Sequence, residues 1–224
     1  PSFREGDYVV QWTASVAPEK MAPGQTGLLT FTAKPDKSYH VYKVVIDDSD
    51  SSTNFVVTEK VGLLIGQPVA DKPVVTKTIL PTLPPVNYYT GKVTFQLPIK
   101  IPEDAEPGKK TIEGMIAYQA CTENSCQRPT ALQFTASVTV GRPSGQAAAA
   151  IELVPAKSAS ALDAAAMTQW VDAIELKRPA EPGAAAPTAE EQDQDNAEAP
   201  MSGSTSLPVI LMFAFLGGLI LNVM

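Results

Sequence analysis

Apolar and polar residues alternate with period two along several stretches of the first 140 residues. Val10, Trp12, Ala14 and Val16 are separated by Gln11, Thr13 and Ser15, and Leu29, Phe31 and Ala33 by Thr30 and Thr32. Val93, Phe95, Leu97, Ile99 and Ile101 alternate with Thr94, Gln96 and Lys100, and Leu132, Phe134, Ala136, Val138 and Val140 with Gln133, Thr135, Ser137 and Thr139. Side chains of a pleated strand point to opposite faces in turn, so each run predicts a strand with one buried face. Residues 39–46 and 111–120 predict two further strands, and 53–60 another. Pro23-Gly24, Pro35-Asp36 and Pro107-Gly108 supply turn chemistry between the runs. No helical period of useful length precedes residue 141. Strands with one apolar face must stack on a second sheet or close into a barrel. The expected fold is therefore all-β, an immunoglobulin-like β-sandwich over residues 1–140. The alternation fails between residues 62 and 88, where "GLLIGQPVADKPVVTKTILPTLPPVNY" holds five prolines. A long irregular loop on a rigid sandwich is a candidate lid or binding loop.

Charge divides the chain differently. Of the formal −7, residues 1–140 contribute −1 and residues 141–206 contribute −6. No basic stripe is present, which argues against a nucleic-acid partner. The Ala-, Pro- and acid-rich stretch 141–206 buries too little apolar surface to offset its ordering entropy and predicts a disordered, flexible linker. Within it, Leu162, Ala166, Met167, Trp170, Val171 and Ile174 mark one face of a short amphipathic helix near 160–177, with Ser160 and Asp163 placed as N-cap and reciprocal partner. Such a helix can dock on the sandwich, on a membrane surface or on a partner, or stay weakly populated. Leu207 to Met224, apolar except for Asn222, would rise about 27 Å as a helix, nearly a bilayer core. Residues 207–224 thus predict the start of a first transmembrane helix. With the chain opening on Pro1, the expectation is a piece of a longer protein cut inside that span.

Both cysteines, Cys121 and Cys126, lie in "YQACTENSCQRP" at 118–129. A zinc site would need four ligands, and the chain offers these two thiols and the lone His40, with no second ligand cluster to join them. No metal site and no cofactor are expected. A structural disulfide fits an oxidising compartment, yet a ring this small adds only about 2 kcal/mol by chain entropy. Nor would it join the two sheets. A short, exposed pair closing a loop after a strand has the character of a labile, exchanging disulfide. Stapling and exchange both remain open on these grounds, with the balance towards exchange. No serine-elbow motif or Gly-rich phosphate loop accompanies the pair.

The stretch "GMIAYQACTENSCQRP", with its Tyr-Gln-x-Cys start and Cys-x-x-Pro finish, resembles the N-terminal (alpha) periplasmic domain of the DsbD thiol:disulfide interchange proteins. "YHVYK" at 39–43 looks like that family's aromatic strand beside the cysteines, and "FLGGLILNVM" is similar to the start of its first membrane helix. The resemblance implies a protein-disulfide reductase domain, periplasmic and anchored in the bacterial inner membrane. Its electron donor would be a thioredoxin-like domain of the same protein, fed by the membrane-embedded reductase. Its acceptors would be periplasmic disulfide isomerases or thioredoxin-like proteins of cytochrome c maturation. Cys126 would meet the partner and Cys121 would resolve the mixed disulfide. His40, Tyr42, Tyr118, Gln119 and Pro129 are the implied neighbours of the active site. The strand period puts His40 and Tyr42 on one face, where core packing is the competing role. The family carries tyrosines at both positions, so His40 departs from it, and an imidazole there would shift thiolate chemistry towards physiological pH. The family shields its cysteines under an acidic and aromatic cap loop. Here the corresponding region offers only Asp71, Val74 and Val75 before Tyr88 and Tyr89. The alternative is a non-catalytic extracytoplasmic binding sandwich whose disulfide is structural, and a minor one is metal delivery through the dithiol.

Overall fold

The computed structural model describes residues 8–45, 52–78, 81, 82, 84–143, 145, 147–156 and 170–174, together with the backbone of residues 2 and 3. Most of the predicted 160–177 helix and the whole predicted membrane span at 207–224 lie outside the described residues. Among those described, no helix is long and apolar enough to cross a membrane.

The alternating runs become strands on two sheets packed face to face. One sheet runs Ser2–Phe3, Val10–Ala17, Thr26–Pro35, Val93–Lys100 and Leu64–Ile65 in spatial order. The other runs Glu152–Ala156, Thr130–Val140, Gly108–Tyr118, Thr53–Glu59 and Val44–Val45. The long strands pair antiparallel, with Phe95 opposite Phe31 on the first sheet and Ile116 opposite Leu132 on the second. Their inner faces interdigitate. Phe31 meets Phe55 at 5.2 Å and Phe134 at 4.9 Å between ring centroids, and Trp12 meets Tyr118 at 5.2 Å. Trp12, Phe31, Phe55, Phe95 and Phe134 are all fully buried. Each such side chain contributes about 1.5–3 kcal/mol by leaving water. The molecule is an immunoglobulin-like β-sandwich, as the alternation predicts. The long strands follow the expected ones closely; residues 39–46 split into His40–Tyr42 and Val44–Val45, and the strand expected at 111–120 begins earlier and ends sooner, at Gly108–Tyr118, with Ala120 in the separate strand Ala120–Cys121.

The sandwich continues past residue 140, where the composition predicts linker. Ala149–Ala150 pairs with Val10–Ala17 on one sheet, and Glu152–Ala156 pairs with Thr130–Val140 on the other. Ile151, between the two strands, is buried in the core as the chain crosses from sheet to sheet. Residues 170–174 return to the same body: Trp170 is buried in the main core and the Asp172 carboxylate accepts from Lys60 Nζ at 2.8 Å and from the Ile65 N–H at 2.7 Å. No α-helical turn is present at 170–174. The segment instead bonds backbone to backbone, with the Asp172 N–H donating to the Ile65 carbonyl at 2.8 Å.

The irregular stretch 62–88 is not structureless. Leu64–Ile65 and Val69–Ala70 add to the Val93–Lys100 strand, and Val75–Lys77 pairs with Val86–Thr90 as a hairpin. That hairpin leads a third, small sheet of order Val75–Lys77, Val86–Thr90, His40–Tyr42 and Ala120–Cys121. This small sheet carries the cysteines.

Candidate functional site

Cys121 ends the two-residue strand Ala120–Cys121, whose partner is His40–Tyr42; Cys121 lies directly opposite His40 and Ala120 opposite Val41. Cys121 and Cys126 form a disulfide with Cα atoms 4.0 Å apart and face one another across an antiparallel bridge. The turn between them organises itself. The Thr122 N–H donates to the Ser125 carbonyl at 2.8 Å, and the Thr122 hydroxyl accepts from the N–H groups of Asn124 at 3.2 Å and Ser125 at 3.1 Å. A short polar side chain that satisfies nearby backbone donors is a turn-former for that reason. The two sulfurs differ in access: Cys121 is buried and Cys126 is exposed.

Tyr42 joins the two. Its hydroxyl lies 3.3 Å from Cys121 Sγ and 3.8 Å from Cys126 Sγ. In the disulfide neither sulfur carries a proton, so the phenol is the donor. The Tyr42 backbone is pinned in turn by the core, because the buried Thr53 hydroxyl donates to the Tyr42 carbonyl at 2.9 Å. His40 lies over Tyr88 with ring centroids 4.2 Å apart and meets Tyr42 edge-on at 5.8 Å. Burial lowers the His40 pKa below its ordinary value; the Glu123 carboxylate pulls it back up and the Lys77 ammonium pushes it down.

These groups enclose a cleft of about 330 Å³ lined by His40, Tyr42, Lys77, Val86, Tyr88 and the ring from Cys121 to Cys126. Lys77, on the hairpin, forms an ion pair with Glu123, inside the cysteine ring. That hydrogen bond raises the Lys77 pKa and lowers that of Glu123. Both groups are exposed, so solvent screens the pair strongly.

The structure gathers His40, Tyr42, Cys121 and Cys126 and leaves the other sequence candidates around them. Tyr118 turns into the core against Trp12, where burial pushes its phenol pKa up. Gln119 acts on the cysteine loop from outside the cleft: its Nε2 donates to the Gln127 carbonyl at 2.9 Å, and Gln127 Nε2 donates to the Tyr39 hydroxyl at 3.1 Å. Pro129 is exposed and lines no part of the cleft. Of the proposed cap residues, Asp71 bonds elsewhere, accepting from the Thr94 N–H at 2.9 Å. Val74 packs on the main core, and Val75 sits in the hairpin with its side chain exposed. The cover facing the sulfurs is built from Lys77, Val86 and Tyr88 instead. Nothing local announced Val86, Lys77 or Glu123; Lys77 and Glu123 meet only because the hairpin folds over the ring. Among the described residues, no group of three or more His, Cys, Asp and Glu could hold a metal ion.

The arrangement is that of an exchange-competent disulfide: one reachable sulfur, one sheltered sulfur, and a phenol donor able to stabilise negative charge on either. Comparison with known proteins agrees with this chemistry. Among solved structures, the chain is similar to the DsbD N-terminal domain of Neisseria meningitidis in the reduced form, at 15% identity and a TM-score of 0.38, covering 63% of this chain and 90% of that one. It is also similar to a family 123 glycoside hydrolase from Clostridium perfringens, at 12% identity and a TM-score of 0.27, covering 55% of this chain and 23% of that one. At these values neither likeness bears on function. No curated protein gives a significant match. The family model described as thiol:disulfide interchange protein DsbD, N-terminal, matches residues 9–137, more than half of the chain and every residue of the cleft. The chain therefore belongs to the family of DsbD N-terminal domains and carries a thiol:disulfide interchange domain with a redox-active Cys121–Cys126 pair.

Proposed function

We propose that this domain is a protein-disulfide reductase module that passes electrons through Cys121 and Cys126 to thioredoxin-like proteins. It works in the periplasm, held to the inner membrane through the segment beginning at Leu207. Its donor is a thioredoxin-like domain of the same protein, and its acceptors are disulfide isomerases or thioredoxin-like proteins of cytochrome c maturation. The observation that carries the reading is the asymmetry of the pair: Cys126 is exposed while Cys121 is buried beside the Tyr42 hydroxyl. Interchange proceeds by thiolate attack along the line of a partner's disulfide, so the reachable sulfur meets the partner. The sheltered sulfur then displaces the partner, leaving the domain oxidised and the partner reduced.

The test traps the intermediate. The Cys121→Ala chain, reduced and mixed with an oxidised thioredoxin-fold protein, is expected to accumulate a covalent adduct on non-reducing gels, and Cys126→Ala to form none. Absence of any adduct with Cys121→Ala overturns the assignment of roles. The reduction potential of the pair, equilibrated against thiol buffers, is expected between about −180 and −270 mV. A value below about −300 mV marks a structural disulfide and leaves the non-catalytic binding domain as the better reading.

A further inference from the structure

The resolving step requires Cys121 to become a thiolate, and Cys121 is the buried sulfur of the pair. A thiol has an ordinary pKa of about 8.5, so at neutral pH it is mostly protonated and its proton must pass to a nearby base before it can attack. The groups around the cleft narrow the choice. The Tyr42 hydroxyl touches Cys121 Sγ at 3.3 Å, but it meets the sulfur as a hydrogen-bond donor, which stabilises a thiolate without taking up its proton. Lys77 is a protonated ammonium held by Glu123, and that same ion pair makes Glu123 a weaker base than an ordinary carboxylate. Tyr88 is a second phenol, its ring tilted against His40. His40 remains.

Its position suits the task. His40 is directly opposite Cys121 in the antiparallel pair between His40–Tyr42 and Ala120–Cys121. Residues so opposed project from the same face with Cβ atoms about 4.5–5.5 Å apart. Both line the disulfide cleft. The imidazole is held between Tyr88 at 4.2 Å and the edge of Tyr42 at 5.8 Å. It also borders a second, open cleft of about 700 Å³, shared with Asp36, Lys37, Tyr39, Tyr88 and Glu123, which gives an accepted proton a way to water.

We propose that His40 is the proton acceptor for Cys121 in the resolving step; this rests on the interchange function proposed above. In that step Cys126 is joined to the partner's sulfur. The Cys121 proton passes to the imidazole, and the Cys121 sulfur attacks Cys126 Sγ. The Cys121–Cys126 bond forms and the bond from Cys126 to the partner breaks. The partner's sulfur leaves with the electron pair as a thiolate. The domain's two thiols have lost two electrons, the partner has gained them, and the imidazolium returns its proton to that thiolate or to water. Burial favours the neutral imidazole that this step needs, with Glu123 and Lys77 acting on it in opposite directions.

A small disulfide separates the step from partner recognition. The reduced full chain mixed with one equivalent of 4,4′-dithiodipyridine releases one thiopyridone when the first cysteine attacks and a second when the other resolves, and stopped-flow absorbance follows both. In the wild type the second phase is expected to stay nearly level from about pH 8 down to the imidazole's titration, because a neutral base accepts the proton throughout. In His40→Phe and His40→Asn the second phase is expected to slow at least about tenfold at pH 7 and to fall roughly tenfold per pH unit on acidification, with the first phase within about twofold. His40→Asn retains a polar side chain that does not titrate there, so agreement of the two variants excludes a simple packing effect. Superimposable second-phase profiles for wild type and both variants overturn the proposal. So does a first phase that survives Cys126→Ser and is lost in Cys121→Ser, which reverses the sulfurs. Release of a single equivalent by the wild type has a different meaning: no resolving step exists, and the interchange reading falls together with the role of His40.

Discussion

Tyr42 and His40 show how one short strand serves two purposes. Both belong to His40–Tyr42, and both face the cysteines, while Val41 between them is buried in the main core. A hydrogen bond from Tyr42 to a thiolate is charge-assisted and contributes about 1.5–3 kcal/mol, equivalent to roughly one to two pKa units. Tyr42→Phe is therefore expected to raise the titration midpoint of the reactive thiol by about one unit, read from the pH dependence of its alkylation rate; an unchanged midpoint would show that the hydroxyl plays no part in stabilising the anion. His40 gives a second test, on stability. Its native pKa lies below the ordinary 6.5, so below that pH the unfolded chain binds more protons than the native one. The contribution of neutral His40 is complete above about pH 6.5 and is lost as the pH falls through the lowered native value. In urea unfolding from pH 7.5 to 5, the wild type is expected to lose stability relative to His40→Phe; a constant difference between the two would mean the imidazole is not desolvated. The sequence alone put His40 and Tyr42 on one face, because strand periodicity is local. It left open whether that face met the core or the cysteines, since the partner strand Ala120–Cys121 lies about 80 residues away in the chain.

Among the elements, the hairpin cover and the 170–174 segment are the two that tertiary contacts created. The amphipathic spacing around Trp170 correctly marked a residue that seeks an apolar partner, but helical geometry gave way at 170–174 to pairing with Ile65. The reason is visible at Asp172, whose carboxylate takes the Ile65 N–H and Lys60 while its own N–H reaches the Ile65 carbonyl. Two variants probe this docking. Trp170→Ala removes a side chain buried in the core and is expected to destabilise the domain by about 3–5 kcal/mol in denaturant unfolding. Gly66→Ala would place a methyl carbon 2.6 Å from the Ile174 carbonyl and from Pro98, so it is expected to loosen the segment and increase hydrogen exchange at the Ile65 and Asp172 amides. If Trp170→Ala unfolds like the wild type, the segment does not belong to the folded body. Gly114 is the corresponding tight point between strands: a methyl group there would meet the Phe134 ring and the Val56 carbonyl, and Gly114→Ala is expected to cost about 1–3 kcal/mol.

For the domain as a whole, the boundary drawn from composition and the one drawn by the structure disagree. Residues 147–156 are rich in Ala and look like linker, yet Ala149–Ala150 and Glu152–Ala156 complete both sheets and bury Ile151 and Leu153 between them. A chain ending at residue 140 is expected to melt at least about 10 °C below one ending at 174, since each buried aliphatic lost costs about 2–5 kcal/mol and each kcal/mol moves the midpoint by a few degrees. Equal melting temperatures would restore the boundary at 140. The short alternation of Ile151 and Leu153 around Glu152 was present in the sequence. Its meaning depended on edge strands with open hydrogen-bonding groups, which only the assembled sandwich provides.

The sequence by itself determined the sandwich, because a period-two pattern of large apolar residues leaves a strand one face to bury and two sheets to bury it between. It also pointed to the chemistry, through two cysteines close together in a residue pattern shared with a redox family, while leaving a structural disulfide open. Tertiary structure decided which cysteine is reachable, which side chains surround them and how far the domain extends. Those outcomes depend on burial and on contacts between segments tens of residues apart, where a hairpin, a crossing strand and a returning tryptophan meet surfaces that exist only once the chain has folded.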